Sequence, residues 1–205
     1  MLEESGLILE VGNWILDEAC DACARMLADG LIDARDFSLC VNISPRQFRQ
    51  NDFVGRVLRS LNDFKVPKQI LKLEITEGIV IQNLEDTISK MRELKAYGVS
   101  FAMDDFGTGY SSLTYLKRLP VDALKIDQSF VRDATVDPND AEIVRAIVAM
   151  ARSLGLAVIA EGVELSEQLE FLEQLGCHLY QGYLHSRPLP LAEFRQMLLE
   201  APAVY

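Results

Sequence analysis

Asp104 and Asp105 stand side by side in FAMDDFGTGYSS, residues 101–112. Two carboxylates held close together repel, so they need a shared proton, a hydrogen-bond network or a cation. Hard divalent cations favour such oxygen ligands. On a strand, neighbouring side chains face opposite ways. Both acids therefore reach one site only where the strand ends, and Gly107 and Gly109 are placed to end it, because glycine takes the backbone angles of a sharp turn. For an isolated acid pair the ordinary reading is a turn in which one Asp caps the next helix. The whole run DDFGTGYSS favours the cation.

The elements that must carry these acids alternate along the chain. Apolar periodicity predicts helices over 9–27, 52–64, 84–97, 141–154, 166–175 and 191–199, with short helical segments at SPRQF and 111–116. Strands are predicted over 37–43, 70–76, 99–104, 121–127, 156–161 and 178–181. Gly30, Gly98 and Gly155 stop helices, and Glu3, Glu4, Ser5 and Gly6 read as a helix end with its glycine stop. Strand–helix alternation points to a parallel sheet, either doubly wound or closed as a (β/α) barrel.

Parity within the strands chooses between them. Ser38, Cys40 and Asn42 oppose Leu39, Val41 and Ile43; Ser100, Ala102 and Asp104 oppose Phe101 and Met103; Ala123, Lys125 and Asp127 oppose Leu124 and Ile126. One face is small and ends in a functional group, and the other is bulky, as a face packed on helices must be. The second strand is less clean, since Lys72 shares the face of Glu74. A narrow barrel interior wants this arrangement and gathers its catalytic groups at the carboxyl ends of the strands. Such a barrel has eight strands in roughly 250 residues. The expected fold is thus an α/β chain of the modified TIM-type, incomplete at its N-terminal side, with six strands present in a single domain over 1–205.

Each strand end brings a polar residue to one rim: Asn42, Glu74, Asp104 with Asp105, Lys125 with Asp127, Glu161 and Gln181. Singly, each has an everyday role. Asn42 could cap the SPRQF helix, Glu74 could pair with Lys72, Lys125 could be a solvated charge, Glu161 could cap a loop and Gln181 could bond a turn. Together they make an oxygen shell for Mg²⁺ or Mn²⁺. If the Asp pair bridges two ions, a two-metal phosphoryl site follows. Lys125 would then hold the attacking water or neutralise phosphate charge, and Glu161 would act as ligand or base. Glu77 and Glu164 follow Glu74 and Glu161 by three residues and sit in loops, where they brace the loop or are solvated. His178 and His185 lack metal-like spacing and read as structural, and Trp14 reads as a packing residue of its helix.

Composition narrows the function. The 205 residues are 49% hydrophobic and 25% charged, an ordinary globular balance. A net charge of −11 argues against wrapping DNA or RNA, which needs a basic surface, but leaves room for a small anion held through a metal. No apolar run is long enough to span a bilayer and no signal peptide opens the chain. Cys20 and Cys23 form a CxxC in a helical pattern without a second pair, so buried or surface thiols are expected rather than zinc; Cys40 and Cys177 read as small core residues. Nothing calls for disulfides, which makes a reducing cytoplasm the expected setting.

NISPRQF at 42–48, LEITEG at 73–78, DDFGTGYSSLTYLKRLPVDALKID at 104–127, AEGVE at 160–164 and QGYLHSRPLP at 181–190 resemble the EAL domain family of cyclic di-GMP phosphodiesterases. The resemblance implies a modified TIM barrel that hydrolyses cyclic di-GMP to linear pGpG with Mg²⁺ or Mn²⁺. It implies metal-ligand roles for Asn42, Glu74 and Asp104, with Asp105 on a second ion. Lys125 matches the catalytic lysine, Glu161 the essential glutamate, Gln181 the site glutamine and Glu77 the glutamate that fixes the DFGTG loop; Asp127 joins Gln181 on the substrate side. It further implies a homodimer, and a sensory or diguanylate cyclase domain fused in the parent protein. The name-giving Glu-Ala-Leu triplet and the arginine after it are absent, TEG stands for TES, and His185 stands where Phe is common. The expectation is impaired turnover, self-association across the open barrel, or a catalytically silent module that binds cyclic di-GMP or a protein.

Overall fold

Six strands run parallel in sequence order: β1 (Leu39–Ile43), β2 (Leu71–Thr76), β3 (Ser100–Phe106), β4 (Ala123–Ile126), β5 (Ala157–Glu161) and β6 (Leu179–Gln181). The computed structural model describes residues 6–79, 83–107 and 113–200. The predicted turn residue Gly109 and the helix end at Glu3, Glu4 and Ser5 lie outside them. Helices separate the strands: α1 (Ile8–Ala28) before β1; α2 (Pro45–Phe48) and α3 (Phe53–Asp63) before β2; α4 (Leu84–Ala96) before β3; α5 (Leu113–Leu116) before β4; α6 (Gln128–Asp133) and α7 (Pro138–Leu154) before β5; α8 (Ser166–Gln174) before β6; and α9 (Leu191–Glu200) last. The result is a curled half-barrel whose free edges, among the described residues, are β1 and β6.

The sheet's outer face is the greasy one. Val41, Ile43, Leu73, Ile75, Phe101, Met103, Leu124 and Ile126 are all buried against the helices. Burial of such side chains is worth roughly 1.5–3 kcal/mol each, so the period-two pattern fixes which face turns inward. The inner face is left to small and polar groups. At the amino ends of the strands, Asp122 joins three of them: it accepts from the Phe101 backbone N–H at 2.9 Å and from Lys95 Nζ at 2.5 Å, and its carbonyl accepts from Ala157 N at 3.0 Å.

Caps set several helix starts. Ser44 and Gln47 form a capping box on α2, Asn83 caps α4, and Asp137 caps α7 with Pro138 in its first turn. The α7 cap starts that helix three residues before the predicted 141. Gly155, at φ 70°, stops α7 as expected. The short α6 was not foreseen; it is started by Asp127.

Two burial expectations are corrected. Trp14 is 61% exposed, because the core stripe of α1 is Gly12, Leu16, Cys20, Cys23 and Met26 and Trp14 lies off it. Cys40 is exposed, because it shares the inner face with Asn42 and that face stays open beside edge strand β1; Cys20, Cys23 and Cys177 are buried free thiols.

The seat of α1 on α2 is a close approach. A Cβ on Gly12 would meet the Gln47 amide at 2.0–2.3 Å, and that buried amide is already committed to the α2 capping box. Gly12→Ala should therefore lower the unfolding free energy in urea by about 1–3 kcal/mol. Gly55→Ala, inside α3 with only the flexible end of Arg59 nearby, should raise it by about 0.5–1 kcal/mol. Equal effects would contradict the packing described.

Candidate functional site

The carboxyl ends of the strands form a rim, and register aligns it. Asn42 lies opposite Glu74, Thr76 opposite Asp104, and Glu161 opposite Gln181. Lys125, on β4, is 2% exposed. Its Nζ lies 2.6 Å from Glu74 Oε2, 3.0 Å from Asp104 Oδ1 and 2.6 Å from Glu161 Oε1. Burial by itself would lower the pKa of this ammonium. Its hydrogen bonds to Glu161 and Glu74, and the charge of Glu74, outweigh burial and hold it above the ordinary lysine value. Glu161 is also held above its ordinary value: burial raises it, while Lys125 pulls it part of the way back. Gln181 Nε2 donates to Glu161 Oε1 at 2.8 Å, so one oxygen of Glu161 accepts from both neighbours.

Asp104 and Asp105 reach one rim by a different device from the predicted strand end. β3 continues to Phe106, and its pairing with β4 shifts register between Met103 and Phe106. Asp105 sits at φ 51°, a left-handed conformation that Asp tolerates better than most residues. This bulge re-aims a side chain, a common use of such irregularities beside functional sites. Gly107 then turns at φ 102°, where a Cβ would meet the Phe130 ring at 2.9 Å. Asp104, Asp105 and Glu161 each place one oxygen within 4.8 Å of the others, a set able to hold a cation. Glu74 lies outside that set and bonds Lys125, as Asp104 and Glu161 also do, and Asn42 is exposed on β1.

The remaining candidates are placed as follows. Asp127 Oδ1 accepts from the Ser129 backbone N–H at 2.9 Å and from its hydroxyl, capping α6, and its charge acts on Asp105. Glu77 Oε1 accepts from Gly107 N at 3.3 Å, while its Oε2 is buried without a partner among the described residues. Glu164 and His185 are exposed and line a cavity beside Glu161, and His178 is exposed.

Two residues were not read from the sequence. A Cβ on Gly182 would meet the Val163 backbone at 2.1 Å, and one on Gly162, at φ 68°, would meet Gln128 Cβ at 2.6 Å. The first contact lets the loops after β5 and β6 touch, with Val163 N donating to Gln181 O at 3.2 Å, and the second seats the β5 loop on α6. The glycines inside AEGVE and QGY were the available signal.

Residues 1–188 match the EAL domain. The chain belongs to the EAL domain family. It is 42% identical over 201 residues to the signaling protein YkoW of Bacillus subtilis, covering 98% of this chain and 25% of that protein. It is 44% identical over 190 residues to the bifunctional diguanylate cyclase/cyclic di-GMP phosphodiesterase MucR of Pseudomonas aeruginosa, covering 93% of this chain and 27% of that protein. The chain thus spans about a quarter of the length of these curated relatives. A solved structure of the PaMucR phosphodiesterase in complex with c-di-GMP superposes with a TM-score of 0.89 at 42% identity, over 94% of this chain and 77% of that one. The expected barrel-type architecture of the family is therefore the architecture found. No helix among the described residues is long and apolar enough to cross a membrane.

The Asp105 carboxyl lies above the usual aspartate range, first through burial and then through the charges of Asp104 and Asp127. The folded state thus holds its proton more tightly than the unfolded chain. The stability this confers is present at low pH and lost as pH rises through the raised value. Asp105→Asn, which keeps tolerance for the left-handed backbone, should raise the melting temperature in EDTA at pH 7 by a few degrees. That advantage should disappear below about pH 4. A pH-independent gain, or a loss at pH 7, would contradict this.

Proposed function

We propose that this EAL domain is a metal-dependent phosphodiesterase that hydrolyses cyclic di-GMP to linear pGpG in second-messenger signalling. The observation that carries the reading is the Lys125 ammonium bonded to carboxylates of three strands beside the Asp104–Asp105–Glu161 oxygen set. The donor chemistry fits a hard divalent ion: all the candidate ligand atoms are oxygens, and three carboxylates contact one lysine with Asp105 beside two of them, leaving excess negative charge. Mg²⁺ or Mn²⁺ would be held by Asn42, Glu74, Asp104, Asp105 and Glu161. Such an ion, when bound, polarises a phosphoryl oxygen and lowers the pKa of water.

The chain's own residues do the rest. Lys125 stabilises the charge that builds on the phosphoryl oxygens. Glu161, with Oε1 accepting from Lys125 and Gln181, has Oε2 to take the proton of the attacking water. Water oxygen bonds to phosphorus as the bond to the 3′ oxygen breaks, and a proton goes to that oxygen, leaving a 5′ phosphate and a 3′ hydroxyl. Gln181 and Asp127 face the substrate side. Glu77 holds the backbone at Gly107, and so the segment that follows Asp105.

Two observations favour a second reading, a module that binds cyclic di-GMP or a protein without cutting. An ammonium already neutralises part of the carboxylate set, and the sheet is open at β1 and β6 among the described residues. The open edges also support self-association, as a homodimer or by exchange of elements, and reduced turnover by the chain alone. The proposal includes residence in the cytoplasm as a single domain of a longer protein that carries a sensory or cyclase module.

The test is product chromatography alongside calorimetry. The chain with cyclic di-GMP and Mg²⁺ should form pGpG, EDTA should stop it, and Asp104→Asn should slow it by about 100-fold or more with the fold retained. Binding without pGpG would establish the second reading. Absence of both binding and product would overturn each.

A further inference from the structure

One buried charge plays no part in the chemistry above. Lys90 is 9% exposed, among Thr87, Ile88, Met91 and Leu94 on the buried face of α4. Lysine is almost never buried unless its ammonium has partners. Here Nζ pairs with Asp86 Oδ2 at 2.9 Å and donates to the backbone carbonyl of Phe48 at 3.1 Å. It also stands over the Phe48 ring, 5.9 Å from the centroid. Asp86 lies one turn back on the same helix, and such a pair needs no burial to form. The bond to Phe48 joins positions 42 apart and draws the ammonium inward.

Phe48 is the last residue of α2, whose N-cap, Ser44, follows Asn42 by two residues. The last carbonyls of a helix have no partner inside it, and a helix of one turn has little internal stability. The capping box of Ser44 and Gln47 fixes the start of this segment. Lys90 fixes its end, with the Phe48 ring buried and packed on Phe53. Asn42 needs that support more than its neighbours on the rim. Among the described residues β1 is a free edge paired to β2 alone, whereas Glu74, Asp104 and Lys125 stand on strands paired on both sides. The segment after Asn42 therefore carries a share of its aim that flanking strands carry for the others.

We propose that Lys90 is a positioning residue for Asn42: by holding the carboxyl end of α2 it fixes where the Asn42 amide meets the divalent ion. The assignment rests on the functional reading above, which makes Asn42 a ligand, and deepens it. Lys90 acts through the backbone of residues 43–48 and not by touching ion or substrate.

The test is calorimetry of Mn²⁺ alone, without nucleotide, on wild type, Lys90→Met, Asn42→Ala and the double variant, each shown to be folded by circular dichroism. Lys90→Met should weaken Mn²⁺ binding by about 10-fold, and Asn42→Ala by at least as much. Lys90→Met should add little to Asn42→Ala, because its effect passes through that amide. A purely structural role would leave the affinity of the folded protein unchanged. Lys90→Gln, whose arm is too short for the Phe48 carbonyl, replaces Lys90→Met if that variant does not fold, with the same loss expected. Wild-type Mn²⁺ affinity in Lys90→Met or in Asn42→Ala, or an equal further loss in the Asn42→Ala background, would overturn the positioning role alone. Failure of wild type to bind Mn²⁺ would overturn the metal-dependent reading and this assignment with it.

Discussion

Lys125 brings a single ammonium to the buried end of β4, and carboxylates from β2, β3 and β5 converge on it. Removing three acids and a lysine from water is costly for each ion, and the mutual attraction offsets this only when the geometry is good and the remaining oxygens are bonded. Here the distances are 2.6–3.0 Å, and Glu161 gains a further bond from Gln181. The arrangement couples four strands through their side chains at the end of the sheet where the barrel fold places its chemistry. At the opposite end Asp122 joins β3, β4 and β5 through backbone and lysine contacts. The half-barrel is thus tied at both ends, with its small inner residues between.

The rim depends equally on where side chains are missing. Gly182 admits the Val163 backbone, so the loops after β5 and β6 lie in contact with Gln181 bonded to Glu161, and Gly162 admits Gln128 of α6. Gly107 lets the chain leave β3 beside Phe130. The bulge at Asp105 works in the opposite sense, accepting a left-handed non-glycine residue so that a second carboxylate joins Asp104. Such local strain costs of order 1–3 kcal/mol and persists where the surroundings over-determine it.

Much of the architecture is written in the period of the strands. Phe101 and Met103 against Ser100, Ala102 and Asp104 announce one greasy and one small face, and a parallel curled sheet follows from that pattern with the alternation of helices. Three other features could not be read this way. The bulge depends on the pairing of β3 with β4, which no local pattern encodes, so a strand end was expected where a strand continues. The exposure of Trp14 follows from its place off the core stripe of α1, and that of Cys40 from the open inner face beside β1, not from their residue types. The three-way contact of Lys125 joins residues from far apart in the chain: Glu74 lies 51 positions before it. Strand parity placed these groups on one rim, but could not say that the lysine would be buried among the acids.

The central claim is that the Lys125 charge makes the buried carboxylate rim tolerable. Urea unfolding of Lys125→Met against wild type, in EDTA across pH, tests it most directly. At pH 7 the variant should be less stable by about 3–5 kcal/mol, because Glu74, Asp104 and Glu161 are left buried without their counter-charge. The deficit should shrink toward pH 4–5, roughly where carboxylates take up protons. A variant as stable as wild type at pH 7, or a deficit that does not change with pH, would contradict the account.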